Sequence, residues 1–462
     1  MLRHVTALFA LVAAPAFAQP LSQSDVAQID KAVAKALAET SVPSASIAVV
    51  RDGKIVLTKA YGKASEMLSA RPDLPYQIAS NSKQFTAMAI LLLEDEGKLK
   101  LDDPVSKWIP GITDGDKITI RQLLSHTSGL QDFWPQDYSF AAMAKPTKPK
   151  GIVDGWAHKP LDFRPGDQWQ YSNTGYVVAG MIAEKAAGEP LMTYLKRKIF
   201  DPLGMKSVRD LDETNGPAFP HGYGRYALGP VRQVTPPADG WLWAAGELSM
   251  TAEDLAKWDI ARLDRTLVPA EDWTTQETTI KLNDGKDSGY GLGVFVRDGE
   301  RKAITHGGEA VGFLSTNNVY PAERAAIVVL TNSWSGDAHS RIARDIAKIV
   351  LPPVQSDATT QAQAARARSV FDALRAGRLD RSQLTENANY YFTQQAIADY
   401  QSSLAPLGNP IAFEPAGKPI LRGGFVIQGY TIKFPTRMLE LSTFYEPGSN
   451  GRIEQFLVTP GE

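Results

Sequence analysis

From Ser80 to about Glu96 the chain reads as a helix apolar on nearly every side, with Phe85, Met88, Ile90, Leu91, Leu92 and Leu93 in one short segment. A surface helix carries one apolar stripe and a polar face, whereas a helix apolar all round has to be enclosed. The fold must therefore wrap a domain around this segment, and Gly97 stands where the helix should stop. With 462 residues the chain exceeds a single ordinary core, so a large domain and a small one are expected. Hydrophobic content of 43% and charged content of 22% are globular rather than disordered values.

The flanking pattern gives the rest of the large domain. Asp25 to Leu37 has helical spacing, with Val26, Ile29, Val33 and Leu37 on one face. Two apolar runs, Ala45 to Val50 and Ile55 to Thr58, bracket Asp52-Gly53 and form a strong hairpin signal. Gly175 to Ala187 is a second apolar helix, and strands are expected at Tyr290 to Val296, Ala303 to His306, Phe313 to Val319 and Ala325 to Leu330. Strand pairs close in sequence and flanked by helices suit an α/β (α+β) fold, an antiparallel sheet covered by helices with a mostly helical lobe between its halves. After Leu351-Pro352-Pro353 a polar run suggests a linker over 353–361. Beyond it, helices at Ala364 to Ala376 and Phe392 to Leu404 precede strands at Ile411 to Phe413, Phe425 to Tyr430, Leu439 to Tyr445 and Ile453 to Val458. That makes a separate α+β module over 362–462, similar in outline to cystatin-like or NTF2-like folds.

Several functions are excluded early. With no cysteine, the chain has no disulfide, thiolate zinc site or cysteine nucleophile. Its six histidines include no metal-ligand spacing, and no cofactor motif is present. A net charge of -2 gives no electrostatic case for nucleic acid or a polybasic membrane contact, which leaves a small molecule or peptide as substrate. At the N-terminus, Met1-Leu2-Arg3-His4, an apolar run from Val5 to Ala14 and Ala16-Phe17-Ala18 form a secretory signal with cleavage expected after Ala18. The run is well short of the roughly 20 apolar residues that span a bilayer. The expectation is a periplasmic or secreted mature protein whose large domain spans 19–352, its oligomeric state open.

Three short patterns carry chemistry. Ser80-Asn81-Ser82-Lys83 puts a hydroxyl and an amine three residues apart on one helical face. A serine is a poor nucleophile until a base takes its proton, and a lysine is such a base only when burial lowers its pKa. Alone, such a spacing arises by chance about once in a chain of this size. Tyr171-Ser172-Asn173, in a loop before an apolar helix, offers a proton relay in Tyr171 and an amide holder in Asn173. His306-Gly307-Gly308 ends a strand, where glycines let another backbone approach closely, and the N–H of the next residue, Glu309, can join that of Ser80 as an oxyanion hole. His306 is expected to face the same cleft. His126, in Ser125-His126-Thr127-Ser128-Gly129, is of a type that more often ties down a turn than reacts.

Together, Ser-x-x-Lys, Tyr-x-Asn and His-x-Gly in this order resemble the penicillin-recognising serine hydrolases: class C β-lactamases, D-alanyl-D-alanine peptidases, D-aminopeptidases and related esterases. The resemblance runs from about Asp25 to Ile349 and takes in Leu123 to Leu130, Pro202 to Met205 and Ala244 to Leu248. It implies a β-lactamase/transpeptidase-like fold, with Ser80 as nucleophile and Lys83 and Tyr171 sharing the acid–base work. Asn173, His306, Gly308 and Glu309 then serve substrate binding. The chain departs from the β-lactamases at the third motif, where those enzymes carry Lys-Thr-Gly for a substrate carboxylate. A histidine and a glycine there, beside Glu309, point away from β-lactams and peptide C-termini. The expectation is an ester or small amide, with a D-residue or free amino end. A β-lactamase or carboxypeptidase, and a slowly deacylating binder of peptidoglycan fragments, are the alternatives.

Overall fold

The computed structural model describes residues 20–136, 138–299, 301–352 and 358–461, so the expected signal at 1–18 lies outside the described residues. The chain divides into two compact units, Met1–Arg297 with Lys302–Pro352, and Asp298–Arg301 with Pro353–Glu462.

The first unit is built on a six-stranded sheet. Its strands are β1 (Ser44–Arg51), β2 (Lys54–Gly62), β3 (Phe295–Asp298), β4 (Lys302–Ala310), β5 (Phe313–Tyr320) and β6 (Ala325–Thr331), in the order β2-β1-β6-β5-β4-β3. β1 pairs antiparallel with β2 and β6, and β5 with β6 and β4. The β1–β2 turn is the expected two-residue hairpin. Asp52 (φ 51°) and Gly53 (φ 71°) are both left-handed, the backbone that matches the twist of the flanking strands.

β1 and β6 are buried on both faces, which is why they read as unbroken apolar runs rather than alternating ones. Ile47, Val49, Ile327 and Val329 face a core completed by α1 (Gln23–Thr40) and α4 (Ala338–Val350). Ala48, Val50, Val328 and Leu330 face the larger core around α2 (Lys83–Asp95) and α3 (Asn173–Ala187). In α2, Phe85, Met88, Ile90 and Leu93 are fully enclosed. Each such side chain stabilises the fold by about 1.5–3 kcal/mol, and truncating one to alanine costs about 2–5 kcal/mol.

Where α2 begins differs from expectation. Ala79–Ser82 form a 3-10 turn and the α-helix proper starts at Lys83 rather than Ser80. The cause is a sharp bend, with Ala79 in the left-handed region (φ 49°). Contacts distant in sequence hold it: Asn81 Nδ2 donates to Ser315 Oγ (2.8 Å), Ser315 Oγ to Ile78 O (2.8 Å), and Leu248 N–H to Ser82 Oγ (3.1 Å). At the other end Gly97 (φ 69°) stops α2 as expected, with Lys98 N–H donating to Leu93 O (3.0 Å).

The expected strand Tyr290 to Val296 is also corrected, since β3 begins only at Phe295. Gly291 and Gly293 bring the backbone against its neighbours: a Cβ on Gly291 would lie 2.1 Å from Gln276 O, and Gly293 has φ +80°. The chain there packs as a bent segment rather than a pleated one.

In the second unit, Ala358–Arg375, Glu386–Tyr391 and Gln394–Leu404 are helices, and Ala412–Arg422, Phe425–Lys433, Met438–Tyr445 and Ile453–Pro460 form a four-stranded antiparallel meander. The linker expected over 353–361 is shorter. Its residues 353–357 lie outside the described residues, and a helix already runs from Ala358, because the alanine- and glutamine-rich stretch that follows favours helix. The helix expected over Phe392 to Leu404 starts later, at Gln394, where Thr393 Oγ1 accepts the Ala396 N–H (3.1 Å).

Candidate active site

Ser80 sits in the 3-10 turn and Lys83 opens α2, so both side chains leave one end of the buried helix. Lys83 is wholly buried, and its Nζ lies 3.1 Å from Ser80 Oγ, 2.8 Å from Asn173 Oδ1 and 2.7 Å from Ala245 O. Burial pushes its pKa down to about 7, against the pull of the nearby Asp132 carboxylate, which favours the charged form. The amine is thus close to half neutral at physiological pH, within reach of a serine hydroxyl.

Tyr171 completes the group. Its hydroxyl is hydrogen-bonded to Ser80, and its ring centre is 4.8 Å from Lys83 Nζ. Burial raises the pKa of the phenol, so it keeps its proton. His126 clamps the backbone on both sides of Tyr171: Gln170 N–H donates to His126 O (2.9 Å) and Ser172 N–H to His126 Nδ1 (3.1 Å). The two rings stack at 4.1 Å. Burial first, then the Lys83 charge, holds His126 well below its ordinary pKa, so it is neutral. Its part is to fix the loop, as its sequence context suggested.

Asn173 caps its place in the site from two directions. Its Oδ1 accepts from Lys83, while its backbone N–H and Nδ2 donate to Asp132 Oδ1 (3.0 Å) and Oδ2 (3.2 Å). Asp132 was not singled out in the sequence; the signal was an acidic residue set in Gly129-Leu130-Gln131-Asp132-Phe133-Trp134, where nothing else is charged. Burial raises its pKa, opposed by the N–H groups of Trp134 and Asn173 and by Lys83.

The third motif is brought to the site, with one correction. His306 does not face the cleft: it is only 3% exposed and packs behind Tyr171, with ring centres 6.3 Å apart. Its Nδ1 lies 2.5 Å from Gly307 O and its Nε2 2.9 Å from Tyr290 Oη, so Nδ1 donates and Nε2 accepts. Burial, and then the Lys83 charge, lowers its pKa to about 3, which leaves it neutral. The sequence pattern could not show the aromatic shell of Tyr290 and Phe295 that closes over the ring. Gly308 earns its place by close approach: a Cβ there would lie 2.0 Å from Ile78 O, in the turn that carries Ser80. Strand and turn can touch only because that position lacks a side chain.

The resulting cleft encloses about 410 Å³ and is lined by Ser80, Asp132, Tyr171, Asn173 and Glu309 with Trp134, Leu242 and Trp334 among others. Of the aromatics from Phe133 to Phe140, Trp134 reaches the cleft, whereas Phe133 and Phe140 pack with Trp156 and Trp241 in a cluster of tilted and edge-to-face rings. Trp334 and Leu242 were not legible as site residues. Among the described residues, no group of three or more His, Cys, Asp or Glu is placed to hold a metal ion. No described helix is long and apolar enough to cross a membrane.

A helix-covered antiparallel sheet with serine and lysine at the start of a buried helix defines the serine hydrolases of the β-lactamase fold. The family model described as Beta-lactamase matches residues 29–351, and the chain belongs to that family. It is 30% identical over 308 residues to a penicillin-binding protein of Bacillus subtilis, covering 62% of this chain and 67% of that one. It is 29% identical over 326 residues to protein flp of Staphylococcus aureus, covering 68% and 64%. The chain thus spans about two thirds of the length of these curated relatives. Among solved structures, a D-stereospecific amidohydrolase from Streptomyces sp. shares 30% identity at a TM-score of 0.59, covering 68% of this chain and 96% of that one. D-amino acid amidase from Ochrobactrum anthropi shares 27% at 0.59, covering 71% and 97%. An octameric penicillin-binding protein homologue from Pyrococcus abyssi, at 22% identity and a TM-score of 0.63 over 94% of this chain and 99% of that one, shows a likeness of fold alone.

Proposed function

We propose that this chain hydrolyses an ester or small amide through an acyl-enzyme on Ser80. The observation that carries the proposal is Lys83, buried, 3.1 Å from Ser80 Oγ and with a pKa near 7. In its neutral form Nζ donates to Asn173 Oδ1 and Ala245 O and turns its lone pair to the serine. Ser80 Oγ passes its proton to that amine as it bonds to the substrate carbonyl carbon. The backbone N–H groups of Ser80 and Glu309 receive the oxyanion. Collapse breaks the bond to the leaving group, which takes a proton from Tyr171, itself resupplied by Lys83. Water then attacks the acyl-enzyme along the reverse route and frees Ser80 and the acid.

The cleft favours certain substrates. Two carboxylates, Asp132 and Glu309, line it, and the third-motif histidine is neutral and enclosed. A free carboxylate next to the scissile bond therefore meets no cation from that motif, whereas a free amine meets two anions. Amides or esters with a D-residue or free amino end fit best, in keeping with the two amidases to which the chain is similar. The motif at Met1–Ala18 supports a periplasmic or secreted location for the mature protein.

The test is release of p-nitroaniline or p-nitrophenol from D- and L-alanyl p-nitroanilide and p-nitrophenyl butyrate, with Ser80→Ala as control. Turnover that vanishes in the variant supports the nucleophile, and preference for the D-anilide supports the substrate class. Turnover surviving in Ser80→Ala overturns the proposal. A one-equivalent burst without turnover would favour a slowly deacylating binding protein.

A further inference from the structure

The cleft does not end at its own walls. A second cavity of about 780 Å³ shares Glu309 and Trp334 with it and is lined further by Arg225, Arg341, Tyr138, Tyr226 and the carboxylates Glu39 and Asp337. Trp334 is held as the partition between them: its backbone N–H donates to Tyr223 O (3.1 Å), and its indole lies where a side chain on Gly224 would be, 2.3 Å from that Cβ position. Tyr138 and Tyr226 are 66% and 90% exposed and offer ring faces along this cavity.

The two cations of this cavity differ. Arg341 is engaged by Asp337 (2.6 Å) and Glu39 (3.4 Å). Arg225 makes no ion pair among the described residues. One Nη donates to Thr40 O (2.7 Å), and its Nε is buried without a hydrogen-bond partner. A guanidinium so placed, held through one Nη by a backbone carbonyl and in no ion pair among the described residues, suits an incoming carboxylate. Tyr171, which serves the leaving group, lines only the first cavity. The part of a substrate that runs past Glu309 is then the acyl part.

We infer that the second cavity is a distal acyl subsite, and that the hydrolase takes acyl chains bearing a carboxylate well beyond the scissile carbonyl. The inference rests on the Ser80 acyl-enzyme proposed above. It carries a length rule. A carboxylate close to the reacting carbonyl lies beside Asp132 and Glu309 and is repelled, whereas one carried past Trp334 reaches Arg225.

The experiment uses p-nitrophenyl half-esters of straight-chain dicarboxylic acids, from succinate to sebacate, each against its methyl-capped neutral partner. In the full-length protein the acid-to-neutral ratio of kcat/KM should lie below one for succinate and rise about tenfold above one at eight to ten carbons, the worth of one charge-assisted hydrogen bond. Arg225→Gln should bring the long-chain ratio to one or below, and Arg225→Lys should keep most of it. Because the ratio is taken within each protein, a general loss of activity cancels. A long-chain ratio that stays at one in the unaltered protein, or that survives in Arg225→Gln, overturns the subsite. A binding comparison separates the two proposals: calorimetry on Ser80→Ala with suberic acid monoamide and its methyl ester should show about tenfold tighter binding of the acid, lost in Ser80→Ala/Arg225→Gln. Turnover persisting in Ser80→Ala removes the nucleophile, while equal binding of acid and ester there removes the subsite.

Discussion

Replacing Gly308 by alanine tests whether the reacting turn depends on an intimate contact with β4. The added Cβ would lie 2.0 Å from Ile78 O, where carbon and carbonyl oxygen normally keep about 3.3 Å apart, so strand or turn must move by about 1.3 Å. The same Cβ would sit 2.3 Å from Ser315 Oγ and break the Asn81–Ser315–Ile78 bonds that hold the bend. Overpacking of this kind costs about 1–3 kcal/mol, and a displacement near 1 Å at the reacting atoms costs on the order of 100-fold in rate. For a unit of this size the melting temperature should fall by about 2–6 °C. Gly307 is the internal control: a Cβ there meets nothing closer than Ser315 O at 3.7 Å, and alanine should be neutral. The assay is kcat/KM on p-nitrophenyl butyrate with a thermal melt of both variants. Gly308→Ala matching Gly307→Ala in rate and melting would refute the reasoning, whichever way both had moved.

Other outcomes follow from the same geometry. Because Lys83 must be neutral to take the Ser80 proton, kcat/KM should rise with pH and reach half its plateau near pH 7; a flat profile from pH 6 to 8 contradicts this assignment. The Asp132 charge favours protonated Lys83, so Asp132→Asn should move that midpoint to lower pH and, by loosening Asn173, lower kcat/KM roughly 10- to 100-fold. A midpoint moving upward would argue against it. His126→Ala removes the acceptor of Ser172 N–H and the ring on Tyr171, and urea denaturation should show a loss of about 2–4 kcal/mol. An unchanged midpoint and slope would show that the clamp carries no weight.

The parts of this molecule legible in the sequence are those set by neighbouring residues. The Asp52-Gly53 turn, the Gly97 stop and the Ser80–Lys83 spacing depend on backbone rules that act over a few positions. The enclosure of α2 followed from its composition alone, since no exposed helix tolerates apolar residues all round. What escaped was set by chain segments distant in sequence. Asp132 acquires its role only when its loop meets Asn173, and Trp334 only when the chain after β6 crosses the cleft. His306 was expected in the cleft because its motif ends there, but Tyr290, from the bent segment before β3, and Phe295, which opens β3, close over it. The same bend, made possible by Gly291 and Gly293, shortened the expected strand.

A lysine that is neutral inside the fold and charged in the unfolded chain makes folding a proton-releasing reaction. Burial lowers Lys83 from its ordinary value near 10.5 to about 7, so between those two pH values the unfolded chain binds the extra proton. Stability contributed through this residue accordingly rises with pH across that window, by up to about 1.4 kcal/mol per pH unit, and is at its weakest below pH 7. Lowering the pH through that window toward 7 thus favours the unfolded chain, which can hold the proton in water, and only near its end does the base at Ser80 take the proton up.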